Sequence, residues 1–249
     1  MNRKARVARC YTDQTLQSNT DVVLDKRASH HLSTVLRARA GQPVQLFNSD
    51  GKNYPGEITV AGKRTTIRLH DAIDNPRESS LQLTLVQAIA RGDKMDGIIR
   101  AATELGVSAI QPIYTRHSIT KLDANRALKK NEHWQSIAIS ACEQSGRSKV
   151  PVVAPIQSLN EFLGICQRTT QATNRWILSP GAIPLSSNET SLSQATIIIG
   201  PESGFDTDEV RLCESIGFTA MQLGPRVLRT ETAGPAAIAI LQMRFGDID

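Results

Sequence analysis

The sequence of 249 residues predicts an α/β domain that follows a small β-rich domain. After residue 74, segments with strand character alternate with helical segments, which is typical of a parallel sheet covered by helices. Thr196–Ile199 lacks apolar/polar alternation, as expected for a strand buried on both faces. Two predicted strands end at Gly-Pro turns, Gly200-Pro201 and Gly224-Pro225. Open α/β sheets bind ligands at such strand ends.

Residues 1–73 are predicted to form the β-rich domain, and residues 74–249 the α/β domain. His30–Arg37 is predicted to be a helix, since its apolar side chains recur at helical spacing. The polar, turn-rich Asp74–Ser80 is interpreted as the linker. The predicted strands of the first domain, bounded by turn residues, are 22–24, 44–47, 54–60 and 65–69.

The second domain is predicted to alternate strands and helices to its end. Pro235 is expected in the first turn of the last helix, where a missing N–H costs nothing. A polar loop is expected at 182–194. The predicted strands are 81–89, 107–114, 151–155, 176–178, 196–199 and 219–223, and the predicted helices are 94–105, 123–143, 159–166, 206–216 and 235–245.

The charge and cysteine content narrow the function classes. A net charge of +5 and basic clusters at the N-terminus and around residues 121–149 are compatible with RNA binding or with a solvated basic face. The cysteines lie far apart without a C-x-x-C pair, and His30-His31 lacks a third ligand, so no metal is expected. No signal peptide and no apolar run of about 20 residues is found, so no membrane association is expected.

Both Gly-Pro loops carry charged side chains. Glu202 follows the first, while Arg226, Arg229 and Glu231 follow the second. The arginines are surface charges, clamps for RNA phosphate, or groups that order the loop through Glu202 or Glu231. The carboxylates are either helix caps or groups that accept a proton or orient a cation. Neither G-x-G-x-x-G nor a P-loop occurs, so a ligand held mainly by backbone groups and apolar walls is favoured.

The ordered set of motifs resembles the RsmE family of ribosomal RNA methyltransferases in the SPOUT superfamily, over essentially the whole chain. The C-terminal motif Leu223–Thr232 is the most specific part of the resemblance. The other motifs that carry it are His30–Leu32 through Val35–Arg37, Gly92–Met95, Glu104–Val107, Ala141–Arg147 and Gly200–Glu202.

The resemblance implies an N-terminal PUA-like β-barrel that binds RNA and a SPOUT α/β methyltransferase domain tied in a trefoil knot. It also implies a cytoplasmic homodimer that transfers a methyl group from S-adenosyl-L-methionine to N3 of a uridine in 16S rRNA of the small ribosomal subunit. The residues that it implies for cofactor binding are Ile199, Gly200, Leu223, Gly224, Arg226, Leu228 and Arg229.

For catalysis, Arg229 or Arg9 is expected near the uracil oxygens, while Glu231 or Glu202 orders the site or serves as base. The sequence does not decide among these four. The barrel and the basic N-terminus are expected to hold RNA away from the reacting base. The residues assigned to this RNA contact are Arg6, Arg9, His30, His31 and Arg37.

The chain departs from the family pattern at several positions. Ser203 stands where the family has glycine, and Ala101 stands where many members have lysine. Arg116-His117 and Gly234-Pro235 also differ from the usual residues. Two alternatives therefore stay open: a SPOUT methyltransferase that acts on another RNA, and a non-catalytic RNA-binding assembly protein.

Overall fold

The computed structural model describes residues 7–118, 122–168, 174–184 and 191–249. These residues form two compact units. The first contains the residues up to Glu78 together with Cys142–Val150, and the second contains Ser79–Ala141 and Pro151–Asp249. The division into domains 1–73 and 74–249 stays a prediction.

The first unit is built on a six-stranded mixed sheet. Its strands follow the order β1-β3-β4-β5-β2, and β6 pairs with β4. β1 pairs with β3 in parallel, while the other pairs are antiparallel. β1 was not predicted, because its short sequence lies in the basic N-terminal run. The strands are β1 (Ala8–Tyr11), β2 (Asp21–Val23), β3 (Pro43–Phe47), β4 (Lys52–Val60), β5 (Thr66–Leu69) and β6 (Ile73–Asp74).

The helical segment of the first unit begins earlier than predicted. α1 (Lys26–His30) begins after Asp25, whose carboxylate caps it by accepting a hydrogen bond from the Ala28 N–H at 2.9 Å. His31–Val35 then forms a π-helical turn. The prediction of one regular helix over His30–Arg37 was therefore wrong, since helical spacing alone does not distinguish these geometries.

Glu78 binds the distant segment of the first unit. Its carboxylate accepts hydrogen bonds from the backbone N–H groups of Ser148 at 2.6 Å and Lys149 at 2.8 Å. The guanidinium of Arg147 lies 2.9 Å from the same carboxylate, and both side chains are largely buried. These bonds explain why a segment so far along the chain packs with the N-terminal sheet.

The second unit has the predicted α/β architecture. Its seven-stranded sheet follows the order β10-β8-β7-β12-β11-β13, and β9 pairs with β8. Every recorded pair is parallel. The strands are β7 (Gln82–Ala88), β8 (Ala109–Tyr114), β9 (Val152–Val153), β10 (Gln157–Ser158), β11 (Asn174–Pro184), β12 (Gln194–Ile199) and β13 (Thr219–Gln222).

Helices connect β7 to β8, β8 to β9, β10 to β11 and β12 to β13, in agreement with the predicted alternation. Asp206 and Glu209 form a capping box at the start of α5, which satisfies backbone N–H groups there. Among the residues described, no helix is long and apolar enough to cross a membrane. The helices are α2 (Lys94–Glu104), α3 (Ala124–Ser145), α4 (Leu159–Arg168), α5 (Thr207–Ser215) and α6 (Thr230–Phe245).

Two predictions about the C-terminal third were wrong. α6 begins at Thr230, so Pro235 lies inside the helix and not in its first turn. Burial of the adjacent Ala233, Ala237 and Ile238 supports the helix despite the missing proline N–H. The expected loop at 182–194 also includes the end of β11, and its residues 185–190 lie outside the described part. The trefoil knot stays a prediction.

Candidate functional site

The two Gly-Pro loops lie at the same edge of the parallel sheet. β12 ends at Ile199, and β13 ends at Gln222, directly before the second loop. Both strands pair in parallel with β11, which lies between them. Their carboxyl ends therefore face one side, so both Gly-Pro loops lie at the same edge of the sheet.

A cavity of about 640 Å³ lies between these loops. Leu178–Gly181 of β11 completes its wall, a contribution that no motif of the sequence predicted. Three of the predicted catalytic residues, Glu202, Arg229 and Glu231, line the same cavity. So do all the residues predicted for cofactor binding, which are Ile199, Gly200, Leu223, Gly224, Arg226, Leu228 and Arg229.

Glycine is required at particular points of these loops. A Cβ on Gly200 would lie 3.0 and 3.1 Å from two ring carbons of Phe205, so a side chain there would have to displace that ring by a few tenths of an ångström. Gly224 has a φ of 69° and Gly204 a φ of 73°, which L-residues with side chains rarely adopt. Ser203 is not among the residues with positive φ, so its departure from the family glycine does not strain the turn.

A buried hydrogen-bond network holds the first loop in place. The Thr230 hydroxyl donates to the Gly200 carbonyl at 2.7 Å and accepts from Gln87 Nε2 at 3.0 Å. Thr230 is 5% exposed and Gln87 is fully buried. This network joins the ends of β7 and β12 to the start of α6, and it fixes the backbone carbonyl that follows Ile199.

Lys94 bridges the two carboxylates of the site. Its Nζ lies 3.1 Å from Glu202 Oε1 and 3.2 Å from Glu231 Oε2. Glu202 Oε1 also accepts a hydrogen bond from the Arg91 N–H at 3.0 Å. Lys94 was not among the predicted site residues, although a cation in the first turn of α2 opposes the helix dipole and so signals a role beyond the helix.

The bridge keeps all three groups charged. Hydrogen bonds to Glu202 and then Glu231 raise the Lys94 pKa. Burial alone would raise the Glu202 pKa, but the Arg91 N–H, its own backbone N–H and Lys94 together lower it. The Glu231 pKa is lowered mainly by its own backbone N–H, with Lys94 adding to the effect. Low pKa values make both carboxylates weak bases near neutral pH.

The two arginines of the second loop lie at the cavity and are exposed. Arg229 precedes α6 as its N-cap residue but makes no side-chain capping hydrogen bond. A cation at a helix N-terminus is electrostatically unfavourable. The arrangement therefore favours a ligand-binding role for Arg229 over a capping role.

The remaining candidates belong to the first unit, and Arg6 lies outside the described residues. The Arg9 guanidinium donates to Gln45 Oε1 at 2.7 Å, Asn53 Oδ1 at 2.8 Å and the Arg147 carbonyl at 2.8 Å. Burial is the main cause of its lowered pKa. The structure thus gives Arg9 a network within its own unit and does not place it among the residues that line the cavity.

The other predicted RNA contacts differ in exposure. His30 and Arg37 are exposed, while His31 is half-buried with its Nε2 3.5 Å from the Glu143 carboxylate. Arg37 has a φ of 52° at the point where the chain leaves the helical segment. Among the described residues, no group of three or more histidine, cysteine, aspartate or glutamate side chains is arranged to hold a metal ion.

Comparisons with known proteins agree with this architecture. A family model described as an RNA methyltransferase domain matches residues 77–242, and one described as an RNA methyltransferase PUA domain matches residues 24–67. Ribosomal RNA small subunit methyltransferase E of Buchnera aphidicola subsp. Schizaphis graminum is 34% identical over 98% of this chain and 99% of the relative. The protein of the same name from Bacillus subtilis is 30% identical over 92% and 93%.

Solved structures with the same fold contain S-adenosyl methionine. The crystal structure of a Ribosomal RNA small subunit methyltransferase E from Neisseria gonorrhoeae, bound to S-adenosyl methionine, has a TM-score of 0.90 and 36% identity. It covers 98% of this chain and 100% of its own. A Legionella pneumophila protein in complex with the bound cofactor SAM has a TM-score of 0.91 and 34% identity, with coverage of 98% and 100%.

Proposed function

This chain belongs to the RsmE family of ribosomal RNA small subunit methyltransferases, and from that membership we propose that it methylates N3 of a uridine in 16S rRNA. S-adenosyl-L-methionine is the methyl donor. The observation that carries the proposal is the cavity at the sheet edge. Both Gly-Pro loops line it, together with three charged side chains that have candidate roles in methyl transfer.

The cavity fits the cofactor. Its loops present backbone groups and apolar side chains, and the absence of a Cβ on Gly200 lets the Phe205 ring pack closely against the first loop. Ile199, Leu223 and Leu228 would form the apolar walls, while Gly200 and Gly224 would expose backbone groups to the ligand. When bound, the cofactor supplies an activated methyl group on a positively charged sulfur.

We propose that Glu202 and Glu231 order the site and do not act as the base. Lys94 pairs with both carboxylates and so links the loop of Glu202 to the start of α6. Their lowered pKa values make them poor acceptors for the weakly acidic proton on uracil N3.

Arg229 is the proposed partner of the uracil oxygens. It lines the cavity, is exposed and makes no capping bond, so its guanidinium is available for the charge that develops on the base as N3 reacts. Arg9 remains the second candidate for this role. Alignment of the base with the methyl group supplies the rest of the rate enhancement.

We further propose that residues 1–73 act as the RNA-binding domain and residues 74–249 as the methyltransferase domain of a cytoplasmic homodimer. Arg6, Arg9, His30, His31 and Arg37 are the proposed RNA contacts. The hydrogen bonds that occupy the Arg9 side chain within its unit favour an ordering role there, whereas the exposed His30 and Arg37 are better suited to direct contact.

The test is mass spectrometry of small-subunit rRNA from cells with and without the gene for this protein. We expect one 3-methyluridine to disappear and to return when the wild-type gene is supplied. An Arg229→Ala gene should restore it poorly, whereas Thr232→Val on the exposed side of α6 should restore it fully. A complete set of methyluridines in the deletion strain would contradict the proposal.

A further inference from the structure

Two adjacent apolar side chains, Val35 and Leu36, lie on the surface of the first unit where its helical segment ends. Val35 is 61% exposed and Leu36 is 44% exposed, whereas Leu32 of the same segment is fully buried. The helical segment therefore contributes Leu32 to the core and leaves this apolar pair outside. Single exposed apolar side chains need no explanation, whereas contiguous ones rimmed by polar residues indicate a binding surface.

The backbone holds the apolar pair in place. The Leu36 N–H donates to the His31 carbonyl at 2.9 Å, which closes the π-helical turn. The Ala38 N–H donates to the Leu32 carbonyl at 2.9 Å, and between these bonds Arg37 adopts a φ of 52°. π-Helical turns are frequent at functional sites, and left-handed residues other than glycine cluster there. The apolar pair is thus presented by a hydrogen-bonded turn and not by a loose loop.

The chain around the apolar pair carries positive charge and no acidic residue. Between Asp25 and Asp50 the sequence contains neither aspartate nor glutamate. Arg37 and Arg39 come next along the chain after the pair, and both are exposed. The basic residues of this acid-free stretch are Lys26, Arg27, His30, His31, Arg37 and Arg39. An anionic partner that also offers an apolar surface therefore fits here.

Two carboxylates that contact this stretch are held by other groups. The Asp25 carboxylate caps α1 by accepting from the Ala28 N–H at 2.9 Å. The Glu143 carboxylate accepts from the Tyr11 N–H at 3.1 Å and lies 3.5 Å from His31 Nε2. The exposed arginines beside the apolar pair therefore keep their positive charge for a ligand.

Unpaired RNA combines the two features that this surface requires. Its phosphates suit arginine side chains, and its unstacked bases offer flat faces on which aliphatic side chains pack, as in proteins that insert leucine or isoleucine between bases. A paired RNA helix does not expose those faces. A membrane fits less well, because two apolar side chains on a short turn bury too little surface to hold a bilayer. A second copy of the same surface would bring cations against cations.

We propose that the apolar pair packs against unpaired bases of the rRNA substrate, while Arg37 and Arg39 bind the phosphates beside those bases. The inference rests on the proposed function and extends it by assigning base contact, as distinct from phosphate contact, to Val35 and Leu36. Phosphate contacts position a strand, whereas packing on a base face requires that base to be unpaired. This surface of the first unit therefore selects single-stranded segments of the rRNA.

Binding of single-stranded oligouridylate at several salt concentrations tests the proposal without methyl transfer. Val35→Ala combined with Leu36→Ala should weaken binding about tenfold, at the lower end of the range for stacked bases, and should leave the salt slope unchanged. Arg37→Ala should instead lower the salt slope by about 1, because a phosphate contact is lost. Val23→Ala is the matched control, since Val23 is 50% exposed in the same unit but lies outside the acid-free stretch, and it should bind like the wild type. A double variant with wild-type affinity would overturn the proposal.

Two further probes separate base contact from charge. Inorganic polyphosphate carries negative charge without bases, and a fully paired RNA duplex conceals the base faces. The double variant should bind both probes as tightly as the wild type does. If its affinity for polyphosphate or for the duplex falls as much as its affinity for oligouridylate, the apolar pair does not recognise unpaired bases and the proposal is wrong.

Fold and assembly are checked on the same variants. The circular dichroism spectrum and the S-adenosylhomocysteine affinity of the double variant should match those of the wild type. A changed oligomeric state in analytical ultracentrifugation would identify the apolar pair as an interface between copies and would overturn the proposal. If the double variant does not fold, Val35→Thr, which keeps the shape of valine but adds a hydroxyl, decides the question by the same comparison of oligouridylate with polyphosphate.

The two proposals fail in different ways. Wild-type protein that transfers no methyl group to rRNA contradicts the proposed function. Active wild-type protein whose affinity for oligouridylate is unaffected by loss of the apolar pair contradicts only the base contact.

Discussion

Thr230→Val should disconnect the cofactor loop from α6. Valine preserves the shape of threonine but can neither donate to the Gly200 carbonyl nor accept from Gln87 Nε2. In the wild type these two hydrogen bonds are 2.7 and 3.0 Å long. Helix propensity differs little between the two residues, so the hydrogen bonds dominate the outcome.

The expected loss of stability depends on which hydrogen bonds remain available to Gln87 and to Gly200 in the variant. Gln87 Nε2 still donates to the Ala88 carbonyl at 3.0 Å, and the half-buried Gly200 can reach water more easily than a core residue can. Each of the two lost hydrogen bonds should therefore cost a free energy at the low end of the range for an unsatisfied buried group. We expect the free energy of unfolding to fall by about 2 kcal/mol.

The same change should weaken cofactor binding, because the Gly200 carbonyl anchors the backbone that lines the cavity. We expect S-adenosylhomocysteine affinity, measured by calorimetry, to drop about tenfold, which corresponds to about 1.4 kcal/mol. Urea unfolding measures the stability change. Thr232→Val is the matched control, since Thr232 is exposed on the same helix and should change neither quantity.

A Thr230→Val protein within about 0.5 kcal/mol of the wild type would refute this reasoning. Unchanged stability would mean that the buried network does not hold the loop. The expected loss of stability together with an unchanged cofactor affinity would mean that the network supports the fold but does not shape the cavity.

Three other perturbations test the same structure. Gly200→Ala should reduce S-adenosylhomocysteine affinity at least tenfold in calorimetry, because the new Cβ would meet the Phe205 ring at 3.0 Å, whereas Gly164→Ala, with nothing within 4 Å, should have no effect. The carboxylates flanking Lys94 have lower pKa values in the folded protein than in the unfolded chain. Their contribution to the stability of the fold is therefore complete above the pKa values of the unfolded chain, and it is lost as pH falls through the pKa values of the folded protein. Thermal melts of Lys94→Met should accordingly show a smaller loss of melting temperature between about pH 5 and 3 than melts of the wild type. An identical dependence of melting temperature on pH would argue against the bridge. Glu78→Ala should cost about 3 kcal/mol in urea unfolding by removing the carboxylate that pairs with a buried guanidinium and accepts from two backbone N–H groups, and a loss below about 1 kcal/mol would contradict that assignment.

Local sequence patterns were enough to predict the general architecture. The alternation after residue 74 indicated a parallel sheet, and the unbroken apolar Thr196–Ile199 indicated a strand buried on both faces. The Gly-Pro turns indicated where that sheet would bind a ligand. These features depend on turn chemistry and on periodicity over a few residues, so the chain displays them before any tertiary contact is known.

Helix boundaries and the organisation of the first unit were less predictable. The proline rule placed the start of the last helix at Pro235, but packing extends it back to Thr230. The bonds between Glu78 and the backbone of Ser148 and Lys149 connect segments that no local pattern relates. Burial of paired groups decided these features, and burial depends on partners far along the chain.

Composition and motifs thus determined the sheet, the two loops and the residues around the cofactor cavity. Only the tertiary structure decided that Lys94 joins Glu202 to Glu231. Strand and turn preferences act between near neighbours, whereas ion pairs and cavities form between residues that only the packed fold brings together.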